Sequence, residues 1–263
     1  MRPFSKIRAV TAALLVCCCC YLPATAGATQ TATLHTSFSP DKLGASTTVG
    51  FSFQIANTEG GLPAPLTGLS LHLPQGIDYV TTTLGLSICQ PARLLERGLS
   101  GCSPNSRLGF GSALVEVPFG TGAGHEIPEI QALMGPPHDG NIVVLFYANG
   151  QEPVYAQIVF QGELVDGTTA LGGDLNATIP LIPSVTNGPP VSILSVESTI
   201  GPNRLTYYKQ VHGKKVAFHP RGVSVPLTCP RGGFPFSANF SFLDGTSAVA
   251  SSVVPCPPPS HRR

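Results

Sequence analysis

Five side chains that could carry protons or ligate a metal lie close together near the middle of the chain. They fall within fifteen positions: His125, Glu126, Glu129, His138 and Asp139. Imidazole and carboxylate groups serve as general acids and bases and as metal ligands. Prolines among them predict surface loops, so solvated polar side chains are the alternative interpretation. A secreted hydrolase that uses this cluster is therefore one functional hypothesis.

The sequence motifs of the common catalytic sites are absent. The chain has no Gly-x-Ser-x-Gly nucleophile elbow, no phosphate-binding loop, no dinucleotide fingerprint and no His-Glu-x-x-His zinc motif. Its Asp-Gly pairs are better interpreted as turn residues than as calcium ligands. Asn176 and Asn239 begin Asn-x-Ser/Thr patterns, which mark acceptors for N-glycosylation. No catalytic residue, metal ligand or cofactor is assigned, and the leading hypothesis is a non-catalytic structural or adhesive protein.

Charge is distributed unevenly along the chain. Residues 27–197 carry thirteen acidic and four basic side chains, a net charge of −9. Residues 198–263 carry eight basic side chains and only Asp244, a net charge of +7. Between residues 204 and 231 the basic residues alternate with aromatic ones. The candidate binding residues in this basic segment are Arg204, Tyr207, Tyr208, Lys209, Lys214, Lys215, Arg221 and Arg231.

Two interpretations of the basic segment remain open. As a binding surface it would attract an anionic cell-envelope polymer, an acidic polysaccharide or another surface protein, and nucleic acid is not expected for an exported protein. As a structural feature it would be a solvated hairpin face, or it would pack against the acidic part of the chain. Tyr207 and Tyr208 are adjacent, so in a strand they point to opposite faces and only one can belong to an exposed platform.

The first residues follow the pattern of a secretory signal peptide. Three basic residues precede an apolar run over residues 10–22, which is short for a bilayer span. Small residues predict cleavage between Ala26 and Gly27, with cleavage after Ala28 as the alternative. Removal of residues 1–26 changes the net charge from +1 to −2. We therefore expect a secreted protein, soluble or associated with the cell surface, with no membrane span after cleavage.

Four of the eight cysteines lie beyond the predicted signal peptide. An even number of cysteines in an exported chain predicts a disulfide framework. Four cysteines allow three pairings, and sequence proximity favours Cys89–Cys102 and Cys229–Cys256. The Cys-x-x-Cys spacing that zinc sites use does not occur among these four, so we expect no metal there.

Composition and patterning predict an all-β fold. Of 263 residues 42% are hydrophobic and only 11% are charged, while Gly and Pro number 29 and 26. Alternating or β-branched segments predict strands at 31–38, 47–56, 69–73, 112–117, 141–148, 154–160, 175–179, 191–200, 205–208, 215–218, 236–243 and 248–254. Only residues 91–97 have a helical pattern, which ends at Gly98. The expected architecture is an antiparallel immunoglobulin-like β-sandwich, either one large or two smaller sandwiches, with little helix.

A glycine-rich segment at residues 119–124 is the best candidate for an internal linker. It would divide an N-terminal lobe, residues 27–120, from a C-terminal lobe, residues 121–256. Each lobe would then contain one disulfide. The proline-rich residues 257–263 are expected to form a disordered, solvated tail.

Two blocks of residues carry a resemblance to a group of proteins. The first runs from Leu73-Pro74-Gln75-Gly76 through Cys89 to Cys102-Ser103-Pro104-Asn105-Ser106-Arg107-Leu108-Gly109 and residues 111–113. The second comprises residues 205–208, the segment 226–236 with Thr228-Cys229-Pro230-Arg231-Gly232-Gly233-Phe234-Pro235-Phe236, Asp244-Gly245 and Cys256-Pro257. Together they resemble a family of secreted, uncharacterised β-rich proteins of actinobacterial type, over most of the chain beyond the signal peptide. The resemblance implies export and supports the two proximal disulfides, and it implies no enzymatic activity and no catalytic residues.

Overall fold

The computed structural model describes residues 30–77, 83–153, 155–166 and 171–257. The predicted signal peptide with its cleavage site at Ala26 and Gly27 lies outside the described residues, as does all but residue 257 of the predicted tail. Within the described residues the chain is built almost entirely of antiparallel strands with one short α-helix. The prediction of an antiparallel all-β protein is therefore confirmed.

Fifteen strands are found among the described residues. They are β1 (Gln30–Ser39), β2 (Ser46–Asn57), β3 (Leu66–Pro74), β4 (Arg107–Phe119), β5 (Gly122–Glu126), β6 (Glu129–Met134), β7 (Ile142–Gly150), β8 (Ala156–Val165), β9 (Leu171–Thr178), β10 (Ser192–Ile200), β11 (Tyr207–Val211), β12 (Lys214–Phe218), β13 (Val223–Ser224), β14 (Phe234–Phe242) and β15 (Ser247–Val254). The helix α1 (Pro91–Arg97) lies between β3 and β4, followed by 3-10 turns at Gly98–Gly101 and Pro104–Ser106. Each predicted strand segment overlaps one of these strands, whereas β5, β6 and β13 were not predicted.

Thirteen of the strands form one continuous sheet. Its order is β1-β2-β10-β4-β6-β7-β8-β9-β3-β14-β15, with β13 beside β2 and β5 beside β4. The two strands at the ends of this order, β1 and β15, lie next to each other. The backbone N–H and the hydroxyl of Thr36 in β1 lie 3.1 and 3.0 Å from the hydroxyl oxygen of Ser252 in β15. The sheet is therefore nearly closed and barrel-like. This closure shields the outer strands, whose unpaired backbone groups would otherwise be open to other chains.

Strand β10 lies between β2 and β4 and pairs antiparallel with both. Its approach to β4 is close at two glycines, where a Cβ would overlap a backbone carbonyl oxygen. On Gly109 that Cβ would meet the oxygen of Thr199, and on Gly111 it would meet the oxygen of Glu197. Since any other residue carries a Cβ, glycine at these two positions is what allows β10 to pair with β4 as it does.

The predicted boundary between residues 120 and 121 falls in the tight connection between β4 and β5. These two strands pair from Val115 opposite Glu126 to Phe119 opposite Gly122. Strands from both predicted lobes also alternate within the sheet, since β10 lies between β2 and β4, and β3 lies between β9 and β14. The division into two lobes concerns independent folding and stays a prediction.

The interior of the sheet is filled by aliphatic and aromatic side chains that alternate along the strands. In β14, Phe234, Phe236, Ala238, Phe240 and Phe242 are buried, and the four residues that alternate with them are more exposed. The ring of Phe240 meets that of Phe53 in β2 edge to face, with centroids 5.1 Å apart. Burial of such side chains stabilises the fold by roughly 1.5–3 kcal/mol each, relative to leaving them exposed.

The predicted helix and its end are confirmed by α1. Pro91 begins the helix, a position where its missing N–H is not needed. Leu94 is fully buried against Leu133 and Tyr147. The helix ends at Gly98, whose φ of 57° favours glycine. None of the helices in the described part of the chain has the length and hydropathy needed to cross a membrane.

Both predicted disulfides are confirmed. Cys89 and Cys102, with Cα atoms 5.2 Å apart, close the loop that contains α1. Cys89 is buried, and its N–H donates to the carbonyl oxygen of Met134 at 2.8 Å, which attaches this loop to the end of β6. Cys229 and Cys256, with Cα atoms 5.8 Å apart, link the segment before β14 to the residues after β15. Disulfides of this kind are typical of oxidising, extracellular compartments.

Removing either disulfide is expected to lower the free energy of unfolding by about 3 kcal/mol, because the unfolded chain gains the freedom of an open loop. The variants are Cys89→Ala with Cys102→Ala, and Cys229→Ala with Cys256→Ala, each measured by urea denaturation. Intact mass with alkylation is the control, with four thiols expected to react only after reduction. Four thiols that react before reduction, or variants as stable as the parent, would contradict the framework.

Candidate functional site

The basic segment contains a separate two-stranded hairpin formed by β11 and β12, which we call the basic hairpin (residues 207–218). Its strands pair from Tyr207 opposite Phe218 to Val211 opposite Lys214. Two residues, His212 and Gly213, form the turn, and their φ angles of 48° and 77° are both positive. Positive values at both central residues are typical of the type I′ turn, which suits the twist of a hairpin. Nearly all of this hairpin is exposed.

Tyr207 anchors the basic hairpin to the body of the protein. Its side chain is fully buried, and its hydroxyl donates to the carbonyl oxygen of Arg107 and accepts from the N–H of Gly85 at 3.0 Å. Burial raises the pKa of this phenol above its ordinary value. Tyr208 is 36% exposed. The two tyrosines therefore face opposite sides, as predicted, and only Tyr208 belongs to the exposed surface.

The side chain of Asn105 hydrogen-bonds to the backbone of β11, the first strand of the hairpin. Its side-chain amide donates to the carbonyl oxygen of Tyr208, and its side-chain oxygen accepts from the N–H of Tyr208, both at 2.8 Å. The hydroxyl of Ser103 accepts from the N–H of Asn105 at 3.2 Å and so supports this loop, which directly follows Cys102. Asn105 is not among the predicted site residues, because 103 positions separate it from Tyr208 in the sequence.

A shallow polar groove lies where this loop meets the hairpin. Its volume is about 210 Å³, and its lining includes Ser103, Asn105, Tyr208, Lys209, Gln210 and Lys215. The ammonium of Lys215 lies 4.2 Å from the centre of the Tyr208 ring, a favourable cation–π distance. The ammonium of Lys209 lies 5.6 Å from the ring of Phe218. Lys215 therefore lies on the face of the hairpin that carries Tyr208 and the groove, whereas Lys209 is held against Phe218 on the opposite face.

The cationic groups of the hairpin are not paired with any carboxylate in the part of the chain that the structure describes. Among the described residues, Lys209, Lys214 and Lys215 are exposed and form no ion pair. The alternative interpretation, in which the hairpin packs its charges against the acidic part of the chain, therefore lacks support in the described contacts. The exposed hairpin remains positively charged and open to anions in solution.

The remaining basic residues do not line the groove. Lys214 lies at the start of β12 beside the turn. Arg204 places its guanidinium 5.8 Å from the ring of Phe110 in β4. Arg221 and Arg231 are exposed on loops farther along the chain. Of the predicted binding residues, Tyr208, Lys209 and Lys215 line the groove, and the side chains of Tyr208 and Lys215 share one face of the hairpin.

The polar cluster between residues 125 and 139 is divided by the fold. His125 lies in β5 opposite Glu116, with a nitrogen-to-oxygen distance of 3.5 Å. His138 lies beyond the far end of β6, at 3.3 Å from Glu163 and 3.8 Å from Asp139. The two histidines are separated by about nine residues of β4, roughly 30 Å at the rise of a strand, so they do not share a site.

The other two members of that cluster differ in their environment. Glu129 is exposed at the start of β6, whereas Glu126 is only 8% exposed and faces the interior. No group of three or more possible metal ligands is found among the described residues.

A histidine–aspartate pair that the sequence did not indicate lies on the outer face of the sheet. His72 in β3 and Asp174 in β9 are direct cross-strand partners, with 2.6 Å between Nδ1 and Oδ1. The other ring nitrogen, Nε2, lies 2.9 Å from the side-chain amide of Asn239 in β14. With both nitrogens engaged, no nitrogen of His72 is left to take a proton from a nucleophile. Asn176, the other acceptor-pattern asparagine, is exposed nearby and accepts from Ser70 at 2.6 Å.

No family model, no curated protein and no solved structure matches this chain. The resemblance to a family of secreted actinobacterial-type proteins is thus untested. The functional interpretation depends on the residues and geometry described above.

If Tyr207 anchors the hairpin, loss of its hydroxyl should destabilise the protein much more than loss of the hydroxyl of the neighbouring Tyr208. Tyr207→Phe should lower the free energy of unfolding by about 1–3 kcal/mol, because the N–H of Gly85 and the carbonyl of Arg107 lose their partner. The matched control, Tyr208→Phe, should change it by less than about 0.5 kcal/mol because this ring is exposed. Chemical denaturation of both variants is the measurement, and equal effects would argue against the anchor.

The raised pKa of Tyr207 predicts a pH dependence of the same stability. Above the ordinary phenol pKa of about 10, the unfolded chain releases this proton while the folded protein still retains it. The unfolded state then binds fewer protons, so stability falls as the pH rises above that value. Above about pH 10 the free energy of unfolding should fall less steeply in Tyr207→Phe than in the parent. Identical pH profiles of the two proteins would contradict this assignment to Tyr207.

Proposed function

We propose that this chain is a secreted, non-catalytic binding protein of the cell envelope, and that its basic hairpin binds an acidic polysaccharide or another anionic wall polymer. The observation that carries the proposal is the groove beside the hairpin, where Lys215 lies against the exposed ring of Tyr208 and forms no ion pair with a described residue. The ammonium group of Lys215 would meet a carboxylate, sulfate or phosphate group in the groove, and that of Lys209, on the opposite face of the hairpin, would add to the positive potential around it. The side chains of Gln210 and Ser103 would accept or donate hydrogen bonds to sugar hydroxyls.

The anchoring of the hairpin favours binding over a purely solvated role. Tyr207 ties one strand to the protein body, and Asn105 pairs with the backbone of the same strand. A surface that is already ordered loses little conformational entropy when a ligand binds. The lysine side chains are also partly restrained by their contacts with the rings of Tyr208 and Phe218.

The affinity of one groove for one sugar unit should be weak and sensitive to salt. Interactions between exposed charges are screened over about 8–10 Å at physiological ionic strength. A polymer offers many equivalent units. When a cell surface carries several copies of the protein, these copies can bind one polymer chain at several points, which raises the overall affinity. This behaviour fits a structural or adhesive role at an envelope better than capture of a free monosaccharide.

Two further features support the proposed setting. The two disulfides favour an oxidising compartment and hence export. The immunoglobulin-like sandwich remains our proposal for the finer architecture, in which opposite walls of the nearly closed sheet act as the two layers. Side chains from β1, β7 and β14, including Phe38, Val144 and Phe234, meet in one core cluster and support it.

Replacing one lysine on each face of the basic hairpin tests the proposed function. Lys209→Gln with Lys215→Gln should weaken binding to polygalacturonate about tenfold at low salt, since two exposed charge contacts contribute up to about 1 kcal/mol each. Retention on immobilised polygalacturonate and on dextran sulfate, measured from 20 to 500 mM NaCl, gives the affinity and its salt dependence. Neutral dextran serves as the polymer control.

Lys42→Gln is the matched protein control, because it removes one exposed positive charge in the β1–β2 connection, away from the groove lining. It should leave binding nearly unchanged. Equal binding to neutral dextran, binding that does not weaken with salt, or an unaltered affinity in the double lysine variant would each overturn the proposal.

A further inference from the structure

The interior of the sheet contains an apolar cavity near the β9–β10 connection. Its volume is about 130 Å³, and nearly all of its lining is carbon, contributed by side chains of β2 to β10 such as Phe53, Val115, Ile158 and Ile193. A second cavity of about 100 Å³ adjoins it. The two share four lining residues, Phe51, Leu71, Phe146 and Leu175. The side chains of these four residues thus lie between two neighbouring apolar cavities.

One carboxyl group faces the first of these cavities. Glu126 in β5 is the direct cross-strand partner of Val115 in β4, so the two side chains lie on the same, inner face of the sheet. Glu126 is only 8% exposed and lines the cavity. Its Oε1 atom is buried and has no hydrogen-bond partner in the described part of the protein.

An unpaired buried oxygen destabilises the folded state because it has lost its hydrogen bonds to water, and most buried polar atoms in proteins have a partner. A water molecule would need two to four polar partners to remain in such a place. The one other polar side chain in the cavity lining is that of Ser198, whose hydroxyl is directed to the carbonyl oxygen of Phe110 at 3.5 Å. The site thus offers a single acceptor in apolar surroundings, which suits an amphiphile better than water.

The cavity reaches the surface at the segment that joins β9 to β10. Ile179, Leu181, Ile182 and Val191 of this segment line it, and Leu181 is also 45% exposed. A ligand could therefore enter beside Leu181 without passing through the wall of the sheet.

We propose that this cavity binds an alkyl chain that carries a hydrogen-bond donor at one end, such as a fatty alcohol or amine, with the donor on Oε1 of Glu126. A cavity of about 150 Å³ lined by similar side chains binds benzene. By that measure the cavity beside Glu126 holds about five carbons, and a chain of about eight would extend between the shared side chains into the adjoining cavity. The site is separate from the basic hairpin, and the inference stands whether or not the hairpin binds polyanions.

The test uses two probes with the same chain, 1-octanol and octanoate, at pH 8 by isothermal titration calorimetry. Octanol donates a hydrogen bond to Glu126, whereas ionised octanoate can only accept one. Octanol should bind at least tenfold more tightly than octanoate, as expected for one buried hydrogen bond kept or lost. No octanol binding up to its solubility limit, or equal binding of the two probes, would overturn the proposal.

Variants at Glu126 test the position of the head group. Glu126→Gln supplies an amide that also donates, so octanoate should bind at least tenfold more tightly to this variant than to the parent. Glu129→Gln, the same change at an exposed neighbouring carboxyl, should leave both affinities unchanged. If Glu126→Gln preferred octanol over octanoate as strongly as the parent does, the head group would lie elsewhere and the proposal would be contradicted. The same conclusion would follow if Glu129→Gln changed the affinity for octanoate as much as Glu126→Gln.

Filling the cavity tests the position of the chain. Ala148 in β7 lines the cavity, and Ala148→Phe should abolish binding of octanol while far-UV circular dichroism remains that of the parent. Full octanol binding by the folded variant would overturn the assignment. If this variant does not fold, the Glu126→Gln comparison decides the matter by itself.

Discussion

The double pairing of β10 is the constraint on which the rest of the fold depends. By lying between β2 and β4, this strand joins the first two strands of the chain to its central hairpins, and without it the sheet would have a gap. The close approach to β4 requires glycine at residues 109 and 111. Once β10 is in place, Ile193 and Val196 point inward and complete the wall of the apolar interior. The internal cavity is thus a consequence of backbone packing at two positions that carry no side chain.

Features that depend on neighbouring residues could be predicted from the sequence. The helix at 91–97, the two disulfides between nearby cysteines and the opposite orientation of Tyr207 and Tyr208 follow from spacing alone, and all are confirmed. The positions of most strands follow from alternation, since each residue of a strand faces the side opposite to its neighbour. β5 and β6 were missed because they are short and because glycine, proline and charged residues interrupt their pattern.

Features that depend on register between distant strands could not be predicted. Asn105 meets Tyr208, and His72 meets Asp174, across about a hundred positions of the chain. The side chains at 125–139 are close in sequence but do not meet in one site. An extended strand advances about 3.3 Å per residue, so it separates residues that are near one another in the sequence. His125 and Glu126 are neighbours in β5 and so face opposite sides, but composition and spacing do not encode that the carboxylate is the one that faces inward.

The loop that holds Asn105 follows directly from the cross-link between Cys89 and Cys102. Asn105 fixes the strand bearing Tyr208 and Lys209, so one side of the groove is attached to a covalently closed loop. The oxidation state of this bridge is therefore mechanically coupled to the geometry of the groove. Reduction of the bridge would loosen the groove from a distance, whereas the bridge between Cys229 and Cys256 has no such connection in the described contacts. The surface for which binding is proposed is thus completed by the formation of one disulfide.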